Sequence, residues 1–389
     1  MAVLTVKEVI AHYIENNSNV HTAFLDMSKA YDCINHQTLL MKLIKIGIPS
    51  GIVAIINAMY SNQSFYTKYN NCKSDTQMIY NGTRQGGIIS GLLFNCYINE
   101  MIEKVNQMQP GCKLAHNKFA MVAFADDLVI MAPSKSGLQK LIMTVSKELK
   151  MLSLNLNAKK CKYVRFKNGV FTNSEYIFIN GTKIYEVKSV KYLGINIMYN
   201  LNEANDISRA RTAFLKQFYS FSSKFSRCKL TLKLHLFNIY CTSFYGSALW
   251  ANTRGATSEY KAIKVCYHKG LKKLIGVPYW YSNHDVCNFI GFKTFDNLVN
   301  LNIFSFLFQI KRSISPCLLY IRNFLINQSK FARHANQMCA NKYGFSDILS
   351  NDSDAIKSCI QRLQSEYVSV IPYDRLLGLE TMVDNVDNG

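Results

Sequence analysis

Two adjacent carboxylates, Asp126 and Asp127, lie between two apolar runs in the stretch Lys118–Met131. Phe119–Ala125 is typical of one strand and Leu128–Met131 of the next, so the acids are predicted at the tip of a tight hairpin. A solvated turn more often uses Asn-Gly or Asp-Gly, which tolerate positive φ. Neighbouring carboxylates repel each other, and a bound hard cation usually offsets this repulsion. The pair therefore indicates a metal site, with a plain acidic turn as the alternative.

A third carboxylate, Asp26, follows another apolar run. Val20–Leu25 is predicted to be a buried strand that delivers Asp26 at its carboxyl end, with a helix after it. Asp26 could act only as a cap of that helix, but polymerases also hold metal ions on a carboxylate at the end of an apolar strand. Asp26 and Asp126 are 126 − 26 = 100 positions apart, so only folding can join them.

A glycine-rich segment, residues 81–91, precedes an apolar helix predicted at Leu92–Ile102. Glycine lets a base pair approach the backbone closely, and the amide of Gln85 can hydrogen-bond a base or sugar edge. Just upstream, the alternation in Phe65–Tyr80 predicts an exposed hairpin. The glycine-rich segment is not specific on its own.

Composition bounds the class of protein. The chain has 389 residues, of which 49% are hydrophobic, so it can bury a large core and is not disordered. A net charge of +20 indicates a polyanionic partner, most simply nucleic acid. A membrane is not an expected partner, because no anchor or long apolar run is present. None of the 12 cysteines forms a CxxC pair, which favours reduced thiols in the cytoplasm and/or nucleus over a zinc knuckle or disulfide framework.

Three stretches of the sequence occur in one order: FLDMSKAYD at 24–32, GTRQGGIIS at 82–90 and FADDL at 124–128. Together they resemble palm motifs A, B and C of the reverse transcriptases of non-LTR (LINE-type) retrotransposons. The order and spacing of three independent motifs make the match specific, although each alone would not be. The resemblance extends over roughly the first three-quarters of the chain.

Two further stretches extend the match. LNLNAKKCKYVRF at 154–166 is similar to the family's motif D, with Lys160 at its lysine, and KYLGINI at 191–197 is similar to motif E. Motif E is the primer grip, so the resemblance places Tyr192, Leu193 and Gly194 there.

The resemblance implies an RNA-directed DNA polymerase that joins a dNTP to a primer 3′-hydroxyl with two Mg²⁺ ions, or Mn²⁺ in their place. Asp26 and Asp126 would bridge the ions, with Asp127 more peripheral. Lys160 would lie near the phosphates and donate a proton to pyrophosphate, unless Lys159 takes that role. The expected partners are an RNA template, a DNA primer and dNTPs.

The resemblance also assigns residues around the nucleotide. Tyr31 takes the place of the aromatic that stacks under the sugar and excludes a 2′-hydroxyl, with a core aromatic as the alternative. Arg84, Gln85 and Gly86 would line the nucleotide and template pocket.

The sequence departs from the family in two places. In motif B the usual Cys-Pro and the later Pro are replaced by Gly87-Ile88 and Gly91, which loosens a loop that should be rigid. Family members also have a fingers region, and usually an endonuclease, upstream of motif A, whereas only 25 residues precede Asp26 here. One expectation is therefore that the missing fingers or endonuclease region is needed in cis.

The predicted fold class is α+β. Residues 1–199 are expected to form a right-hand polymerase palm, an antiparallel sheet packed on helices. An all-helical thumb is expected at 200–277, with helices at Ile207–Phe225, Leu230–Trp250 and Ser258–Ile275. A helical C-terminal region with an acidic tail is expected at 278–389.

The third thumb helix has a stripe of one charge sign, which indicates contact with the nucleic-acid backbone, although a solvated face is the alternative. The residues of this stripe are Lys261, Lys264, His268 and Lys272.

Two other functions stay open. A catalytically inactive nucleic-acid-binding remnant of such an element would keep the charge and the thumb stripe, and the short N-terminal region favours it. A group II intron-type maturase would need a basic or HNH-like C-terminal region. From Ser346 onward there are instead 8 acids and 3 bases.

Overall fold

The computed structural model describes residues 1–84, 86–114, 117–250 and 257–313, and the separate positions Ser329, Arg333, Gln337, Lys357, Ile360 and Gln361. Most of the predicted helical C-terminal region, including most of its acidic tail, lies outside this described part. The backbone divides into two compact units. The first unit holds residues 2–193 and 199–201, and the second holds residues 194–198 and those from 202 onward. The predicted three-part division stays a prediction.

The first unit mixes helices with antiparallel strands, as an α+β palm requires. Its helices are α1 Ala2–Glu15, α2 His36–Ile46, α3 Ser50–Tyr60, α4 Ser90–Gln107 and α5 Lys135–Met151. Its strands are β1 Val20–Leu25, β2 Gln63–Phe65, β3 Lys68–Tyr69, β4 Cys72–Lys73, β5 Gln77–Ile79, β6 Cys112–Leu114, β7 Asn117–Phe119, β8 Met121–Phe124, β9 Asp127–Ala132, β10 Lys162–Phe166, β11 Tyr176–Ile179, β12 Thr182–Tyr185 and β13 Ser189–Tyr192.

Four of these strands form the central sheet, in the order β10-β1-β9-β8. Strand β1 is antiparallel to both of its neighbours, and every residue in it is buried. A continuous apolar run suits this central position, because both faces of the strand are covered. The sheet therefore sets the carboxyl end of β1 beside the start of β9.

Helices α4 and α5 pack on the sheet. The inward stripe of α5 is fully buried, and Ser134 caps the helix by accepting a hydrogen bond from the Gly137 backbone N–H. That stripe consists of Leu138, Leu141, Ile142, Val145 and Leu149. Helix α4 buries Tyr97, whose hydroxyl donates to the Leu152 carbonyl at 2.9 Å. The fold class predicted from the sequence is thus confirmed for the described residues.

The strand predicted at Phe119–Ala125 is divided in the structure. Strand β7 ends at Phe119 and β8 begins at Met121. The side-chain oxygen Oδ1 of Asn106 accepts from the backbone N–H groups of both Ala120 and Met121, at 3.0 and 2.9 Å. The Asn106 side chain of α4 thus accepts hydrogen bonds from two backbone N–H groups at the point where the strand is interrupted.

The second unit contains strand β14 Ile195–Met198, helices α6 Ala204–Lys224, α7 Leu230–Cys241, α8 Ser258–Ile275, α9 Asn283–Phe289 and α10 Phe295–Arg312, and a 3₁₀ turn at Ser247–Leu249. Aromatic side chains fill the space between the helices. Phe214 of α6 stacks on Phe244 at 5.7 Å between ring centroids and meets Phe237 of α7 edge-on.

The helix predicted at Leu230–Trp250 was too long. Helix α7 ends at Cys241, and the chain then turns at Phe244 and Gly246, whose φ angles are +35° and +90°. Left-handed backbone at two nearby positions cannot continue a right-handed helix. None of the helices in the described part of the chain has the length and apolarity needed to cross a membrane.

Candidate active site

Antiparallel pairing brings the predicted carboxylates together. Leu25 at the end of β1 pairs with Leu128 of β9, so the next step in that register sets Asp26 beside Asp127. Residues directly opposite in such a pair have Cβ atoms about 5 Å apart. Burial and the neighbouring charges of Asp126 and Asp26 raise the pKa of Asp127. The structure thus joins, at one edge of the sheet, three acids from two distant parts of the chain.

The turn between β8 and β9 presents Asp126. Phe124 pairs with Asp127, which leaves Ala125 and Asp126 as the two turn residues. Ala125 has a φ of +52°, a conformation that costs an L residue roughly 1–2 kcal/mol. The predicted tight hairpin is confirmed, but its two turn residues are Ala125 and Asp126, because Asp127 is the first residue of β9. Strained backbone at Ala125 thus lies directly beside the carboxylates.

Residues 155–161 wrap around Asp26. The Asn157 backbone N–H donates to the Asp26 carbonyl at 2.8 Å, and the Asp26 N–H donates to the Cys161 Sγ at 3.5 Å. Both ends of this residue are therefore held. Cys161 is buried and is a positioning residue that was not predicted from the sequence. The one feature of the sequence that could have indicated it is its place directly after Lys160.

Lys160 lies where the sequence predicted a basic group. Its Nζ is 3.7 Å from Oδ2 of Asp26. That oxygen is buried and has no hydrogen-bond partner. The Asp26 side chain therefore has an acceptor without a hydrogen bond beside an exposed cation, since the Lys160 side chain is 68% exposed.

The donor set fits a divalent ion that shares its ligands with a substrate. In the described residues, no three His, Cys, Asp or Glu side chains converge closely enough to hold a metal ion by themselves. Mg²⁺ in enzymes of this kind is usually held by one or two carboxylates, with phosphate and water completing the shell. Two features fit that arrangement: the Asp26 oxygen that has no hydrogen-bond partner, and the negative charges of Asp126 and Asp26 close to Asp127. The assignment of Asp26, Asp126 and Asp127 as metal ligands stays a prediction.

Tyr31 lies between the core and the carboxylates. Its ring packs on Phe94 of α4 at 5.0 Å between centroids. Burial, and then the charge of Asp126, raise the pKa of its hydroxyl. The residue is half-buried, so it packs against the core and remains partly accessible to solvent. This position is compatible with both roles considered for Tyr31.

The glycine-rich segment is tied to motif A by backbone hydrogen bonds. The Gly82 N–H donates to the Ile34 carbonyl at 2.7 Å, and the Thr83 N–H donates to the Tyr31 carbonyl at 2.8 Å. Arg84 is exposed, and its carbonyl accepts from the Ser90 hydroxyl at 2.6 Å. The segment thus presents an Arg84 side chain from a backbone that is fixed to Tyr31.

The other members of the predicted nucleotide pocket can be placed only in part. Gly86 is exposed and has a φ of +81°. Gln85 lies outside the described residues.

The structure corrects one part of the predicted primer grip. Tyr192 is only 4% exposed, and its ring lies 5.5 Å from that of Phe24 in β1. Burial and the charge of Asp127 raise the pKa of its hydroxyl. Tyr192 therefore supports the sheet near the carboxylates and does not present a face to a primer. Leu193 and Gly194, which have positive φ angles and are half-buried, stay predictions.

The structure also corrects the basic face of α8. His268 is 3% exposed, and burial lowers its pKa. Lys272 is 5% exposed and donates to the carbonyls of Tyr279 and Tyr281 at 2.9 and 2.5 Å. Lys264 is paired with Asp296 at 2.6 Å. His268 and Lys272 are therefore not available to bind phosphates, whereas the Lys264 side chain is 42% exposed and stays a prediction.

The exposed basic face of α8 is displaced from the predicted one. Lys261, Lys269 and Lys273 all face solvent. Lys273 also lies over the ring of Tyr219 in α6, at 5.7 Å from the ring centroid. Of the four predicted residues, Lys261 is exposed on this helix and Lys264 is half-buried, while His268 and Lys272 are buried.

The raised pKa of Asp127 leads to a prediction about stability. An acid whose pKa rises on folding opposes folding once the pH exceeds its ordinary value, here 3.8. Asp127→Asn is therefore expected to raise the urea midpoint of unfolding at pH 7.5, and this gain is expected to shrink as the pH falls toward 4. Denaturation curves of both proteins across this range check it. A gain that does not change with pH would show that charge is not the cause.

An antiparallel sheet that sets acids at the carboxyl end of β1 and the start of β9 is the arrangement that the resemblance to a polymerase palm predicts. The family model for reverse transcriptase (RNA-dependent DNA polymerase) matches residues 3–197, half of the chain, and the chain belongs to this family. Reverse transcriptases generally use divalent metal ions.

Relatives from retrotransposons agree with this assignment. The chain is 25% identical over 285 residues to the RNA-directed DNA polymerase from mobile element jockey of Drosophila melanogaster. This match covers 70% of this chain and 30% of that protein. It is 28% identical over 211 residues to the retrovirus-related Pol polyprotein from type-2 retrotransposable element R2DM of the same organism, covering 51% of this chain and 20% of that protein. The resemblance to non-LTR reverse transcriptases is confirmed, and the chain spans less than a third of the length of these relatives.

Among solved structures, telomerase from Candida tropicalis in complex with a fragment of telomeric RNA is similar, with a TM-score of 0.45 and 13% identity. The match covers 94% of this chain and 52% of that chain.

Proposed function

We propose that this chain is the palm and thumb portion of an RNA-directed DNA polymerase of the non-LTR retrotransposon type. The observation that supports this most directly is the pairing of β1 with β9, which sets Asp26 beside Asp127 with Asp126 at the adjoining turn. A solvated acidic turn would not need a third carboxylate delivered by a buried central strand. The substrates are a dNTP and the 3′-hydroxyl of a DNA primer on an RNA template.

In this reaction the carboxylates would supply the negative charge that holds the metal ions. Two bound Mg²⁺ ions, or Mn²⁺ in their place, would stabilise charge on the attacking 3′-oxygen and the leaving pyrophosphate. Asp26 and Asp126 would hold both ions, and Asp127 would complete the site from its periphery. Lys160 is paired with Asp26 and exposed, so its ammonium group can turn toward pyrophosphate and donate a proton.

Other residues would position the nucleic acid. Tyr31 would lie under the sugar of the incoming nucleotide, with Arg84 toward its phosphates. The exposed lysines of α8, Lys261, Lys269 and Lys273, would contact phosphates of the template and primer. A fingers or endonuclease region in cis would add further contacts to the template and the nucleotide.

A primer-extension assay tests the proposal. The chain is incubated with a DNA primer annealed to an RNA template, four dNTPs and Mg²⁺. We expect extension that stops when EDTA is added and resumes with excess Mg²⁺ or Mn²⁺. Extension that is insensitive to EDTA, or no extension under any metal, would contradict the proposal.

The second candidate is a catalytically inactive nucleic-acid-binding remnant. The observation that favours it is the absence of the usual prolines in motif B, which loosens the loop beside Tyr31. It predicts salt-sensitive RNA binding without any metal-dependent incorporation.

All cysteines in the described residues are free, which supports a proposed location in the cytoplasm and/or nucleus.

A further inference from the structure

Residues 63–79 form a hairpin that extends from the first unit, here named the hairpin arm. Strand β2 pairs with β5 at its base, and β3 pairs with β4 at its tip. Between the two pairs, the Thr67 N–H donates to the Ser74 hydroxyl and the Ser74 N–H donates to the Thr67 carbonyl, both at 2.9 Å. Asn70 and Asn71 have φ angles of +42° and +65°, as a type I′ turn requires. The arm is therefore a defined structure along its length, as the sequence predicted.

The hairpin arm has no packed face. All of its residues are exposed except Gln63 and Ile79, which are half-buried. Its aromatic side chains are nevertheless large: Phe65 is 53% exposed, Tyr66 51% and Tyr69 77%. A two-stranded hairpin alone is marginally stable in water, and aromatic rings in solvent add no core to it. The rings therefore need an explanation other than folding.

Charge on the arm points to an anionic partner. Lys68 and Lys73 are directly opposite each other in the register of β3 and β4. Like charges at such positions destabilise a sheet unless an anion lies between them. Lys73 also lies over the ring of Tyr66, at 4.9 Å from the ring centroid. The arm contains a single acid, Asp75.

We propose that the hairpin arm binds single-stranded nucleic acid, outside the polymerase site. Bases would stack on Tyr69 and Tyr66, and the Lys68–Lys73 pair would hold the phosphates that link them. Rings interleaved with lysines on an open surface are the arrangement that binds single strands without reading their sequence. A protein partner would have to supply both an apolar surface for the rings and carboxylates for the lysines, whereas the bases and phosphates of one strand supply both. Binding at the arm does not depend on Asp26, Asp126 or Asp127.

The test compares full-length variants by fluorescence anisotropy with labelled oligo-U, oligo-dT and a duplex of equal length. Tyr69→Leu and Tyr66→Leu keep an apolar side chain but remove the ring, and Tyr→Phe at the same positions restores it. Tyr185→Leu is the matched control, because Tyr185 is 55% exposed on the separate hairpin β11–β12. Circular dichroism verifies that each variant is folded.

We expect each Tyr→Leu change in the arm to weaken single-strand binding roughly tenfold. The Tyr→Phe variants and Tyr185→Leu should bind as the wild type does, and duplex affinity should not change. Lys68→Gln and Lys73→Gln should each reduce the slope of log affinity against log salt by about 0.7. Comparing oligo-U with oligo-dT shows whether the bound strand is RNA, DNA or either.

Equal single-strand affinity in wild type and arm variants would overturn the proposal. This includes the outcome in which the arm variants change the sedimentation of the chain but not its oligonucleotide affinity, since the rings would then contact protein. Loss of polymerase activity in Asp26→Asn with retained arm binding would leave the proposal intact. The arm proposal and the polymerase proposal can therefore be contradicted independently of each other.

Discussion

Asp26→Asn is expected to lower the rate of dNTP incorporation by about 10³-fold or more, because it removes one of the carboxylates that would hold the divalent ions. Metal stabilisation of the transition-state charge is worth several kcal/mol, and about 1.4 kcal/mol corresponds to each factor of ten. The substitution keeps the side-chain shape and the backbone bonds to Asn157 and Cys161. Single-turnover primer extension at saturating dNTP measures the effect on chemistry rather than on binding.

The same variant should remain folded. Its ion pair with Lys160 is partly exposed, and such a pair contributes at most about 1 kcal/mol to stability. Removing the charge also relieves part of the repulsion on Asp127, whose pKa is raised by burial and then by the charges of Asp126 and Asp26. Asp32→Asn is the matched control, because Asp32 is exposed in the same loop. Similar losses in both variants would show that Asp26 has no special role.

The convergence of the acids could be predicted because each depends on a strong local signal. Val20–Leu25 is the strand with the bounds predicted for it, since a continuous apolar run leaves a central position as its only stable place. The motif order then required that the carboxylates of Asp26 and Asp126 come together. The contact of Asp26 with Cys161 could not be predicted, because no local pattern distinguishes Cys161 from the other buried cysteines of the chain.

Helix α8 shows how a helix with correct bounds can present a different face. The helix spans Ser258–Ile275 as predicted, but Lys272 and His268 point into the unit. Lys272 is buried because two backbone carbonyls, those of Tyr279 and Tyr281, accept its ammonium group. A pattern of charged residues along a helix does not show which of them will meet acceptors from later segments. Lys269 and Lys273 were missed for the same reason.

Gly82→Ala is expected to destabilise the first unit by about 3 kcal/mol and to impair incorporation, although Gly82 is not among the predicted site residues. It has a φ of +92°, which costs an alanine roughly 1 kcal/mol. A Cβ here would also lie 2.9 Å from the Cα and carbonyl oxygen of Asp32 and 3.0 Å from the carbonyl oxygen of Tyr31. All three contacts are to backbone, so the clash adds about 2 kcal/mol.

Gly47→Ala isolates the steric part of this effect. Gly47 has a φ of +91° at the end of α2, but a Cβ there meets nothing within 4 Å. Gly47→Ala should therefore show only the backbone cost, about 1 kcal/mol in urea denaturation, and normal incorporation. The excess loss in Gly82→Ala arises because the motif A backbone must move away, and Tyr31 moves with it beside Asp126. Equal destabilisation by the two substitutions would show that the motif B loop can shift freely, and that its bonds to Ile34 and Tyr31 do not set the geometry of the site.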